Sequence, residues 1–174
     1  MRFIAFILLF FSFNSFAYNR SDYGVWADLD KNCKSTRIDI LTTQALSISK
    51  SSCTNIDGTW KDYYSEKIIT NDSIIDIDHV IPLAYADKNG ANKWSHEKKV
   101  RFANDPINLV ITHRSINRQK GSKGLSNWLP INYTIRCDYF FKWYQISNQY
   151  NLTLEPNDVK IIERNKQICP NFNR

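Results

Sequence analysis

No repeat, low-complexity tract or long linker breaks this chain of 174 residues, which excludes solenoid, fibrous and tail-like architectures. No segment after the first 17 residues is apolar enough to cross a bilayer, so a polytopic membrane protein is excluded. Cysteine is scarce, four in all, and no two are spaced as Cys-x-x-Cys; a structural zinc site built from such pairs is therefore not expected. Acidic residues number 17 against 23 Lys and Arg, giving a net charge of +6, or one less without Arg2. That modest excess suits a polyanionic partner without requiring one. No module for reading bases and no delivery domain is recognisable.

Aromatic residues, by contrast, are plentiful at 14%. The chain has one domain's length, enough to bury a core unaided. Met1-Arg2, an apolar run from Phe3 to Phe13 and the small-residue end Ser15-Phe16-Ala17 form the pattern of a secretory signal peptide over residues 1–17. The run is well short of the roughly 20 residues a span needs. Residue 18 is Tyr, so lipid attachment at that position is not expected. Export to the periplasm or the medium would leave residues 18–174 as a single soluble domain, expected to be a monomer. In an oxidising compartment the four cysteines pair. Of three possible pairings, Cys33–Cys53 and Cys137–Cys169 join sequence neighbours and would staple each end locally.

Periodicity reads as α+β. A helix is expected from Ser35 to about Ser47, and Asp57-Gly58 signals a hairpin turn between short strands. Residues 74–81 alternate acidic and β-branched side chains as a strand, closed by Pro82. Asp76 and Asp78 would share one face and His79 the other. Helices follow over 84–87 and 94–103, then a strand over 108–112 and a short helix over 115–120. Apolar spacing makes 135–148 an amphipathic helix, with a last helix from about residue 157.

The chemistry concentrates in Asp76-Ile77-Asp78-His79-Val80-Ile81-Pro82-Leu83, then Asn108-Leu109, then Asn117-Arg118-Gln119-Lys120-Gly121. Phosphodiester hydrolysis needs a base for water and a charge that stabilises the phosphoryl and leaving oxygens. A neutral histidine supplies the first and a hard divalent ion much of the second. Such an ion prefers oxygen ligands such as Asp and Asn. Arg114, Arg118 and Lys120, with Lys123, form a basic cluster beside these residues. His113 is a further candidate, more simply explained as a surface or core histidine. His96 is expected to be exposed and Trp128 to pack.

On these residues the chain resembles the HNH endonucleases of the ββα-metal superfamily, and more narrowly the small exported bacterial HNH proteins with a D-x-D-H-V-x-P-L box. Gly90-Ala91 with Trp94, Phe102-Ala103-Asn104-Asp105 and Trp128-Leu129-Pro130 extend the likeness over nearly all of residues 18–169. The resemblance implies a ββα core over about residues 74–123, with a helical insertion and flanking helices. It implies His79 as general base, Asn108 as the residue that orients it, and Asp78 and Asn117 as metal ligands. Lys120 resembles the basic residue that ends the motif and would meet a phosphate; adjacency to the motif puts Arg118 and Arg114 at phosphate too, and Asp76 is either an acid supporting the metal ligands from behind or a solvated strand residue. The implied cofactor is Mg²⁺, with Mn²⁺ or Ca²⁺ as alternatives. The implied partner is DNA, or else RNA, cleaved with little sequence specificity. An exported, non-catalytic nucleic-acid-binding protein on the same scaffold is the alternative.

Overall fold

The computed structural model describes residues 17–173, so residues 1–16 of the expected signal peptide lie outside the described residues. The elements run α1 (Thr36–Thr43), β1 (Ala45–Ser51), β2 (Ile56–Lys61), β3 (Ile68–Ile69), β4 (Ile75–His79), α2 (Leu83–Lys88), α3 (His96–Asn104), β5 (Leu109–His113), α4 (Arg114–Lys120), α5 (Arg136–Tyr150) and α6 (Pro156–Lys166). This is an α+β fold with an antiparallel sheet β1-β2-β3 and a separate antiparallel pair β4-β5. No described helix is long and apolar enough to cross a membrane. The disulfides are Cys33–Cys53 and Cys137–Cys169, the pairing of sequence neighbours.

Two expectations fail in the first third of the molecule. The helix expected to reach Ser47 stops at Thr43, and Ala45–Ser51 is a strand. Ser47, Ser49 and Ser51 are poor residues for a helix interior, and the segment pairs instead with β2. Asp57-Gly58 is not a turn but lies inside β2, opposite Lys50 and Ile48. Gly58 is needed there because a Cβ would strike the Ser47 carbonyl across the strands.

The alternation along β4 divides the interior. Ile75 and Ile77, with Leu109 and Ile111 of β5, join α1 and Trp60 in one apolar cluster. Trp60 is fully buried, and its indole N–H donates to the Leu41 carbonyl at 2.7 Å. Burying a side chain of that size stabilises the fold by roughly 1.5–3 kcal/mol. Asp76 and Asp78 project from the other face of β4, toward α4, which contacts both strands. A second, larger cluster of aromatic and aliphatic residues holds Tyr23, Tyr64 and Phe102 with the buried stripe Tyr139, Trp143, Ile146 and Tyr150 of α5.

Candidate active site

The position of the site is set by where β4 ends. Asp78 lies on the α4 face, and His79, the last residue of β4, follows it on the opposite face. There a pocket of about 300 Å³ is lined by Asp78, His79 and Asn117, with Tyr18, Arg20 and Ser122 among its walls. The strand's register pairs His79 with Leu109 at this end and Ile75 with His113 at the other. A broader groove of about 1040 Å³, lined in part by His113, Ile116 and Trp128, holds none of the three. Chemistry, not size, selects the smaller pocket.

Helix α4 is aimed at β4 by both of its ends. His113 caps it, ring Nδ1 accepting from the Ser115 N–H at 3.1 Å, and Gly121 stops it in the left-handed region at φ 55°. Arg114, Asn117 and Lys120 then fall three residues apart on one face, opposite Asp76 and Asp78 two apart on the strand. Asn117 donates its amide N–H to Asp76 Oδ2 at 3.1 Å. That bond fixes which way the amide lies, and its oxygen has no hydrogen-bond partner among the described residues. Arg114 reaches Asp76 Oδ1 at 3.5 Å and also donates to the Ser73 carbonyl.

Asp78 is 6% exposed and its Oδ2 is doubly held, by the Tyr64 hydroxyl at 2.6 Å and the Lys120 ammonium at 2.9 Å. Lys120 is completely buried and also donates to the His79 carbonyl at 2.7 Å. Burial pushes its ammonium down from the usual lysine value, against the pull of Asp78. Asp78 Oδ1 takes no hydrogen bond among the described residues and is not among the sealed, unpaired side-chain atoms, and Asp78 lines the pocket. Tyr64 reaches Asp78 because Asp62, fully buried, gathers the turn around it. Asp62 Oδ1 accepts from the Tyr64 and Ser65 N–H groups, and Oδ2 accepts from Thr112 and the His113 N–H.

His79 is partly buried. Its Nε2 lies 2.8 Å from the Ala103 carbonyl at the end of α3. A carbonyl only accepts, so the neutral ring carries its proton on Nε2 and its lone pair on Nδ1. The ring also stacks on Trp26, with planes 6° apart and centroids at 5.6 Å. Desolvation by burial draws the imidazole down to about 4, outweighing the opposing effects of Ala103 and Asp78. At neutral pH the ring is therefore an uncharged base.

Several expected residues stand elsewhere. Asn108 does not touch the His79 ring. Its side chain clamps the turn after β4, accepting from the Ile81 N–H at 2.8 Å and donating to the Ile81 carbonyl. The ring's orienting carbonyl is that of Ala103. Lys120 cannot meet a phosphate, because its buried ammonium is spent on Asp78. Arg114 is engaged by Asp76, while Arg118 is exposed with no side-chain bond among the described residues. His113 caps a helix at the far end of the strand pair. His96 is exposed and Trp128 packs edge-on to Tyr64 and Tyr139, as expected. The sequence reading missed Trp26, Tyr64 and Arg20, which lie outside the motif and are brought to it only by the fold.

The two free oxygens, Asp78 Oδ1 and Asn117 Oδ1, are hard donors of the kind that Mg²⁺, Mn²⁺ or Ca²⁺ takes. Among the described residues no group of three or more His, Cys, Asp or Glu is gathered for a metal, so most positions around an ion would fall to water or substrate. The residues present fit a sparsely held Mg²⁺ of that kind.

The family described as GmrSD restriction endonucleases, C-terminal domain, matches residues 34–154. An uncharacterized secreted protein of Arthroderma benhamiae is 31% identical over 140 residues, covering 79% of this chain and 68% of that protein. The matched span contains β4, β5 and α4 whole, together with Asp78, His79 and Asn117, and the chain belongs to the family of GmrSD restriction-endonuclease C-terminal domains.

Proposed function

We propose that this protein is an exported, metal-dependent HNH endonuclease that hydrolyses nucleic-acid phosphodiesters with little sequence specificity. One observation carries the reading: Asp78, Asn117 and His79 line one open pocket. Strand β4, strand β5 and helix α4 serve as the ββα core. The family's description as restriction endonucleases points to a nucleic-acid substrate and favours DNA. Two disulfides and a secreted relative fit an extracellular location.

His79 takes a proton from water on Nδ1 while Nε2 stays on the Ala103 carbonyl and Trp26 holds the ring plane. The water oxygen forms a bond to phosphorus and the bond to the leaving oxygen breaks. Asp78 and Asn117 would hold the divalent ion, which when bound would supply Lewis-acid stabilisation of charge on the phosphoryl and leaving oxygens. Asp76 keeps the Asn117 oxygen pointed away from itself, and Lys120 balances the charge of Asp78 when no ion is present.

The test is digestion of plasmid DNA and of RNA by the oxidised protein lacking residues 1–17, with Mg²⁺ and with EDTA. His79→Ala should slow cleavage by about 10²–10⁴-fold with the fold retained. A fully active, metal-dependent His79→Ala protein would sink the mechanism. Retention of DNA without cleavage in Mg²⁺ would favour the binding-protein alternative. The acid limb of the pH–rate profile should lie near pH 4 and not near 6.5. The folded state binds fewer protons than the unfolded chain between those values, so stability should fall as the pH drops through that window.

A further inference from the structure

We propose that Arg20 is a phosphate-binding residue of this site, gripping a backbone phosphate of the nucleic-acid strand that crosses Asp78, His79 and Asn117. The proposal rests on the nuclease reading and adds to it a residue outside the motif. Arg20 lines the same pocket as those three side chains. Of the other cations near that pocket, Lys120 is committed to Asp78, Arg114 to Asp76 and Lys123 to the Gln119 carbonyl at 2.6 Å, while the exposed Arg118 does not line it. Arg20 has no acidic partner within ion-pair distance among the described residues. One Nη1–H donates to the Gly24 carbonyl at 2.8 Å, which orients the guanidinium and leaves its other N–H groups for a ligand. A planar fork of donors matches two phosphate oxygens at once.

The backbone that carries Arg20 is a fixed wall. Asn19 caps the turn Arg20–Tyr23, and Tyr23 is fully buried with its hydroxyl on Asp87 at 3.0 Å. Asn104 of α3 accepts from the Ala27 N–H at 2.9 Å and donates to the Val25 carbonyl at 3.2 Å. The same helix presents the Ala103 carbonyl to His79, so one element aligns both the base and the arginine. A contact from Arg20 to phosphate would add affinity without sequence information.

The test measures binding of a labelled 20-base-pair DNA duplex, and of the single strand, by fluorescence anisotropy in MgCl₂ over a range of NaCl. The protein is the oxidised chain lacking residues 1–17, in a His79→Ala background in which cleavage is too slow to compete with the measurement. Adding Arg20→Ala should weaken binding about five- to twentyfold at low salt. It should also flatten the slope of log K against log salt by about 0.9 on duplex or 0.7 on single strand. Arg20→Lys should restore the slope but only part of the affinity. Arg20→Gln, which keeps a donor for Gly24, should behave as Arg20→Ala, and circular dichroism should match the parent for all three. Lys160→Ala, an exposed charge on α6 outside the pocket, should change neither measure. If wild-type protein cleaves DNA and Arg20→Ala leaves affinity and slope unaltered, this proposal is overturned while the nuclease reading stands. If the wild-type protein neither binds nor cleaves nucleic acid, both fall.

Discussion

Two buried aspartates in this molecule begin from the same arrangement and end differently. Asp78 and Asp158 each accept from a tyrosine hydroxyl at 2.6 Å, Tyr64 in one case and Tyr85 in the other. Asp158 is fully buried, and its second oxygen is taken by the Ser126 N–H at 2.7 Å. Both oxygens are used and no cation is paired with it among the described residues; it ties α6 to the loop after α4. Asp78 concentrates its partners on one oxygen, draws in a buried lysine to balance charge, and leaves the other oxygen at a pocket. Burial and a tyrosine partner therefore do not mark a site. What distinguishes Asp78 is an oxygen without a hydrogen-bond partner among the described residues, in a residue that lines a pocket with His79.

The sharpest way to break this comparison is to remove one charge from each carboxylate. Asp78→Asn should reduce cleavage by about 10³-fold, since a lost ion ligand forfeits several kcal/mol at about 1.4 kcal/mol per decade. Asp158→Asn should leave cleavage within about threefold, and cost about 1–3 kcal/mol in urea unfolding because it disturbs a buried hydrogen-bonded group. Equal loss of activity from both would show that Asp78 is not chemically distinct.

The next contrast concerns the cation that only one of the pair possesses. Lys120→Met leaves Asp78 buried without its ammonium and should cost about 3–5 kcal/mol in urea unfolding. Arg114→Ala removes a partly exposed partner of Asp76 and should cost less than about 1 kcal/mol. A Lys120→Met loss as small as the Arg114→Ala loss would mean that Asp78 does not need its lysine, and the asymmetry with Asp158 would vanish.

Much of this was legible in the chain. The alternation in 75–79 set Asp76 and Asp78 on one face, and the spacing of Arg114, Asn117 and Lys120 put them on one side of a short helix. Both follow from the repeat of strand and helix, which is a local property. The disulfide pairing was also readable, because neighbours in sequence are held together by local folding. What failed was whatever depends on burial. Lys120 looked like a surface cation because sequence cannot say that α4 would press its last turn onto β4. Asn108 was assigned to His79, yet its amide closes the Ile81 turn, and a backbone carbonyl from α3 took its place. Backbone carbonyls carry no sequence signature. Asp57-Gly58 read as a turn because the steric demand at Gly58 comes from a neighbouring strand, not from its own dihedrals.

The last contrast probes the closed side of the comparison without touching a charge. A Cβ at Gly124 would collide with the Asp158 carboxylate and the Tyr85 ring, so this glycine is present to let the loop approach the pair. Gly124→Ala should therefore force Asp158 off its partners and cost about 1–3 kcal/mol by overpacking. Cleavage per folded molecule should remain at the wild-type level, because neither Asp78 nor its pocket borders this residue. Thermal unfolding and plasmid digestion on one preparation separate the two quantities. If cleavage falls together with stability, strain at Asp158 is transmitted to Asp78, and the two carboxylates must be treated as one connected network.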